Sequence, residues 1–115
     1  MAEQEISIPL LSKQCNEALI LATLAQEKKH GYQLALEIEE RSQGLFKFNH
    51  GTLYPILHKL EKEGLIKGTW KEEGPKRKRK YYTLTAKGRR HLTGQKQAWS
   101  TFFHRLFDIL GEEAS

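Results

Sequence analysis

The order of hydrophobic patterns along the 115 residues predicts a mainly α-helical fold with one small β-hairpin. Three observations carry that expectation. Apolar residues recur at helical spacing in three stretches before residue 64, a period-two pattern rich in β-branched and aromatic residues fills 65–84, and a long amphipathic stretch follows it.

From Leu10 to Leu24 the apolar side chains fall almost all round a helical wheel, as in a helix covered by neighbours on most sides, and Ser7 and Pro9 mark its start. After a break at Lys28-Lys29-His30-Gly31, the residues Gly31, Leu34, Ala35 and Ile38 repeat at i, i+3, i+4 and i+7 and define a second helix ending near Gln43-Gly44. The third helix, Asn49 to Glu63, places Leu53, Ile56, Leu57 and Leu60 in the core, with Asn49 as cap and Gly64 as stop. Pro55 removes a hydrogen bond inside it, which leaves the start of that helix open by one turn.

The hairpin strands are Leu65–Trp70 and Lys80–Leu84, separated by Glu72-Glu73-Gly74-Pro75-Lys76. Five consecutive cations, Lys76, Arg77, Lys78, Arg79 and Lys80, occupy its tip and enter the second strand, so their side chains project on both faces and that stretch cannot lie in a core. Tyr81 and Tyr82 point to opposite faces, so at least one packs inward. Thr85 caps a final helix from Ala86 to about Leu110, whose first half is basic and whose later half carries Leu92, Trp99, Phe103, Leu106 and Leu110, widened by Phe102, Phe107 and Ile109.

Composition narrows the function. With 38% hydrophobic and 29% charged residues, the chain reads as one ordinary soluble domain. It has no apolar run of membrane-spanning length and no secretory start, which predicts a cytoplasmic protein with no membrane partner. The single cysteine, Cys15, can form neither an internal disulfide nor a zinc cluster. The five histidines are scattered without metal-ligand spacing, and no nucleophile motif or phosphate-cradling loop is present; we expect no enzyme, no cofactor and no metal.

The net charge of +5 permits nucleic acid, an anionic membrane or mere solubility, so its distribution decides. Three helices followed by a hairpin is the order of a winged helix-turn-helix (residues 1–85), to which the final helix (86–115) is appended in one compact unit. Basic and polar groups lie on both elements that would face DNA: His50, Thr52, Tyr54, His58, Lys59 and Lys62 on the third helix, and the five cations on the wing. Acidic residues concentrate elsewhere, although Glu61, Glu63, Glu72 and Glu73 dilute the signal. A charge run on its own reads equally as a solvated face; the hairpin context favours phosphate binding. Tyr54 reads either as a DNA contact or as packing against the wing, and Tyr32 either as a phosphate contact or as a staple of its turn.

The segments HGYQLALEIEERS, GTLYPILHKLEKEGLI and RKRKYYTLTAKGRRHL resemble the PadR family of bacterial transcriptional regulators over roughly residues 15–92. The Thr-Leu-Tyr-Pro start, the Leu-Glu-x-x-Gly-Leu-Ile helix exit and the Arg-Lys-Tyr-Tyr-x-Leu-Thr-x-x-Gly strand exit occur together and in order. The resemblance implies a homodimeric winged-helix repressor of the short, single C-terminal-helix branch, dimerising through its first and last helices. Leu11, Leu92, Trp99, Phe102, Phe103, Leu106 and Leu110 are the interface candidates. It also implies double-stranded DNA as partner and release of that DNA by a phenolic or other planar aromatic effector.

The tail supports a partner by area. Trp99, Phe102, Phe103 and Phe107 represent on the order of 600–1,000 Å², more than one monomer ordinarily leaves exposed in a patch. Across a twofold axis Trp99 and Phe103 either pack plainly or line a shared effector cavity. The sequence therefore reads as a sequence-specific repressor whose two recognition helices enter successive major grooves about 34–36 Å apart. A winged-helix nucleic-acid binder without sequence preference, and a protein-interaction module using the aromatic helix, are the competing readings.

Overall fold

The structure, a computed structural model, describes residues 8–111, with side chains from Cys15 onward. Four helices and three short strands follow one another as α1 (Ile8–Leu24), β1 (Lys29–His30), α2 (Gly31–Arg41), α3 (His50–Lys62), β2 (Ile66–Glu72), β3 (Lys78–Leu84) and α4 (Ala86–Leu110). The core forms where the helical stripes meet: Ile20, Leu21 and Leu24 of α1, Leu34 and Ile38 of α2, and Leu53, Leu57 and Leu60 of α3. Ile66 and Tyr82 close it from the sheet.

The sequence predicted a two-stranded hairpin, and the sheet has three strands in the order β1-β3-β2. Lys29 pairs with Tyr82 and His30 with Tyr81, both antiparallel. A strand of two polar residues carries no period-two signal, which is why the stretch read as a simple break. Lys29 is nonetheless buried, with its ammonium 3.0 Å from both Glu27 and Glu37. These two carboxylates hold its pKa above the ordinary lysine value.

Asn49 caps α3, its side-chain oxygen accepting from the Thr52 amide at 2.9 Å, so the helix starts at the earlier of the two positions that the sequence allowed. Pro55 therefore lies in the second turn and cannot donate to the Gly51 carbonyl. Of the four predicted core residues, Leu53, Leu57 and Leu60 are buried and Ile56 packs partly buried against them.

The junction of α3, β2 and α4 is fixed by backbone contact. Thr85 caps α4 by accepting from the Gly88 amide at 2.9 Å, and its hydroxyl donates to the Gly64 carbonyl at 2.7 Å. The Thr85 amide donates to Leu65, and the Lys87 ammonium reaches the Glu63 carbonyl at 2.9 Å, completing the exit of α3. Gly88 is buried so close to this turn that a β-carbon there would overlap the Leu65 carbonyl oxygen.

Two interface candidates need correction or exclusion. Leu92 is only 6% exposed and belongs to the chain's own core, because the root of α4 still packs against the helical body at that position. Leu11 falls within α1, but its side chain lies outside the described residues.

Replacing Gly88 by alanine should therefore lower stability by about 1–3 kcal/mol, read as an earlier urea midpoint. Gly94, with nothing within 4 Å of an added β-carbon, should gain up to about 1 kcal/mol from the same change through helix propensity. Equal effects at the two positions would contradict the close approach at Gly88.

Candidate nucleic-acid interface

The exposed face of α3 follows from its buried one. With Leu53, Leu57 and Leu60 facing inward, His50, Tyr54 and His58 form an exposed row at i, i+4 and i+8. The His50 and Tyr54 rings stack at 5.7 Å between centroids. Tyr54 also lies against the start of α2, where a β-carbon on Gly31 would come within 3.1 Å of its hydroxyl oxygen. Tyr32 stands exposed in the first turn of α2, and Thr52 and Lys62 are exposed on α3.

Strand alternation sorts the wing. Ile66, Gly68, Trp70 and Glu72 share the face that begins in the core, opposite Leu84, Tyr82, Lys80 and Lys78 on β3. On this face the Lys80 ammonium lies 2.8 Å from Glu61 of α3, and the other Glu61 oxygen accepts from the Gly68 amide at 3.2 Å. The contact with Lys80 holds the Glu61 carboxyl below its ordinary value and raises the lysine. Gly68 is what admits the lysine stem, because a β-carbon there would overlap Lys80.

On the other face a second polar cluster fixes Arg79. Its Nη1 is 2.9 Å from His30 Nε2 and its Nε is 3.7 Å from Glu73, whose carboxylate also accepts from the Tyr81 hydroxyl. His30 caps α2 at the same time, with Nδ1 accepting from the Gln33 amide at 3.3 Å and the Gln33 side chain returning to the His30 amide. A neutral imidazole offers one acceptor nitrogen, so the helix cap and the guanidinium compete for the ring. Burial first, and Arg79 second, push the His30 pKa below its ordinary value.

The structure brings six of the predicted residues, Tyr32, Tyr54, His58, Lys78, Arg79 and Lys80, to one cleft of about 510 Å³ between α2, α3 and the wing. His50 and Thr52 flank it at the start of α3, and Lys62 lies at the helix's far end. Lys76 and Arg77 stand exposed at the hairpin tip, without a carboxylate partner among the described residues. Three predicted contacts are engaged within the protein instead, the first being Arg79, held by His30 and Glu73. Lys80 is tied to Glu61, and Lys59 turns toward α1, 2.6 Å from Glu17.

Four residues of the site escaped the sequence reading: His30, Glu61, Glu73 and Trp70. The two glutamates read as dilution of positive charge, whereas they orient Lys80 and Arg79. Trp70 could have been found by carrying the strand alternation from Ile66 outward; nothing in the sequence marks His30 as a cap. Among the described residues, no three His, Cys, Asp or Glu side chains come together as a metal site.

Beyond Leu92, α4 carries an uncovered apolar face. Phe102, Phe103, Leu106, Ile109 and Leu110 are exposed, Phe102 to 62%, while Trp99 and Phe107 are partly buried. Phe103 packs edge-on to Phe102 at 5.4 Å and near-parallel to Phe107 at 6.5 Å, so the rings form one continuous aromatic surface.

Comparison with known proteins matches this arrangement. A PadR family regulator from Eggerthella lenta superposes with a TM-score of 0.80 at 27% identity, over 94% of this chain and 90% of its own. A PadR-like regulator from Bacillus cereus gives 0.77 at 33% identity, over 90% and 99%. The negative transcriptional regulator PadR of Bacillus subtilis is 33% identical over 64% of this chain and 40% of its own length. Its structure in complex with operator DNA superposes with a TM-score of 0.65 at 30% identity, over 70% and 46%. The model of the transcriptional regulator PadR-like family matches residues 20–94, and the chain belongs to that family.

Proposed function

We propose that the protein is a homodimeric, sequence-specific DNA-binding repressor. The observation that carries this reading is the exposed His50–Tyr54–His58 row of α3 standing beside a cationic wing. The row has the length and exposure of a recognition helix for the major groove, and the wing is placed to hold neighbouring backbone. The Bacillus subtilis relative solved with operator DNA supports the same assignment. On this reading Tyr32, His50, Thr52, Tyr54, His58, Lys62, Lys76, Arg77 and Lys78 face DNA, while Lys59, Arg79 and Lys80 orient the elements that do.

The uncovered face of α4 supports the dimer. Trp99, Phe102, Phe103, Leu106 and Leu110 meet their counterparts across a twofold axis, which sets the separation of two recognition helices on a pseudo-palindromic operator. A planar aromatic effector seated between the protomers at Trp99 and Phe103 regulates the dimer by favouring one of two separations. Only a compound that distinguishes them can change DNA affinity.

Four outcomes are expected. Anisotropy should show the chain's own upstream DNA bound roughly a thousandfold more tightly than a scrambled duplex. Joint alanine substitution of Lys76 and Lys78 should weaken both and reduce the salt slope by about two, whereas Thr52→Ala or His58→Ala should erode the preference alone. Equal binding of the two duplexes would favour a binder without sequence preference. Sedimentation should give a dimer, and Phe103→Glu a monomer; a monomeric wild type would point to a heterologous partner. Planar aromatic compounds that quench tryptophan emission should also weaken operator binding in the same concentration range, and a series that does neither argues against the effector site.

A further inference from the structure

Trp70 is an anomaly on the wing. It shares a strand face with Ile66, which is 2% exposed in the core, yet four residues further along the same face the indole is 64% exposed. The hairpin runs past the helical body, so the inner face continues outward with nothing among the described residues to cover it. Trp, with an apolar body and a polar N–H, is enriched where proteins meet a partner.

What Trp70 faces is specific. Across the cleft stand Tyr54 and His58 of α3 and Tyr32 of α2, while Lys78 supplies positive charge, and none of the residues lining the cleft is acidic. The indole is also held in place: Lys80, anchored by Glu61, has its ammonium 5.9 Å from the ring centroid. An apolar plate next to a cation, in a slot with no acidic residue in its lining and with the neighbouring Glu61 already paired to Lys80, suits a ligand that alternates an apolar and an anionic surface at short spacing. The deoxyribose-phosphate strand of duplex DNA has that alternation.

We propose that the slot between the overhanging wing and α3 seats one sugar–phosphate strand of duplex DNA, with the Trp70 indole packed against deoxyribose and Lys78 against an adjacent phosphate. The proposal rests on the DNA-binding reading above and adds to it a contact of a different kind. With α3 in the major groove and the wing on flanking backbone, the strand bordering that groove has to pass between them. The Trp70 contact is apolar, so it contributes affinity that salt does not screen, unlike that of the wing cations.

The test uses the full chain, wild type and Trp70→Phe, with a fluorophore-labelled duplex of the chain's own upstream DNA. Anisotropy reports binding, and acrylamide quenching of tryptophan emission in the same samples reports shielding. In the wild type, saturating duplex should reduce quenching; in Trp70→Phe, where Trp99 alone emits, it should not. Trp70→Ala, whose far-ultraviolet circular dichroism should match the wild type because the ring lies outside the core, should bind about tenfold more weakly with an unchanged salt slope.

Bound duplex that leaves Trp70 as accessible as in the free protein would overturn the proposal, as would wild-type affinity in Trp70→Ala. A reduced salt slope in Trp70→Ala would also overturn it, by showing that the residue only positions cations. Protection of Trp70 by free planar aromatic carboxylates but not by duplex would assign the slot to a small anion instead. Absence of any anisotropy change with the wild type is a separate result, which removes the DNA-binding reading itself.

Discussion

The angle between the recognition helix and the wing depends on one buried-edge interaction, the Lys80–Glu61 pair beneath Gly68. One carboxylate oxygen takes the ammonium and the other takes the Gly68 amide, so a single α3 side chain grips both strands of the hairpin. The pair is roughly a quarter exposed, where desolvation offsets much of the Coulomb attraction, and its net stabilisation is small. Its effect is geometric. Without it the hairpin would be tied to α3 mainly through Ile66 and Tyr82 at its inner end, and the overhanging half would lack an anchor.

The same principle governs the other side of the sheet. Arg79 sits between His30 and Glu73, and Glu73 is in turn held by Tyr81, whose partner across the short β1 strand is His30. Four residues, from β1, β3 and the turn that follows β2, thus form a closed ring that links the start of α2 to the wing. Among the described residues Lys76, Arg77 and Lys78 have no carboxylate partner, and these are the groups placed to meet an external anion. The five-cation run is therefore two populations: a pair that shapes the wing and a trio that faces outward.

How much of this was legible follows from what each feature depends on. The helices were legible because burial imposes a period on the chain: Leu53, Leu57 and Leu60 announce α3, and Asn49 and Gly64 its ends. The exposed row of α3 came with them as the complement of that face. The third strand was not, because two residues cannot display a period. Lys59 and Lys80 were placed with the outward cations because their partners, Glu17 and Glu61, are distant in sequence, by 42 and 19 positions. Leu92 joined the interface list because the apolar spacing of α4 continues unbroken past the point where the helix leaves its own core. The Thr-x-x-Gly at the start of α4 was noticed through family resemblance, and only the structure gives its reason, the collision that any side chain at position 88 would cause.

That bare glycine also determines how the long helix can behave mechanically. Side chains between two packed elements can slip past one another and absorb a displacement, but at Gly88 backbone meets backbone with nothing interposed. The root of α4 is thus welded to the exit of α3. At 25 residues the helix is a rigid arm of about 37 Å, and a tilt of about five degrees at its root corresponds to about 3 Å at its tip. In a dimer joined at the arms, small changes in how the two cross would be transmitted undamped to the reading heads, as in a pair of calipers.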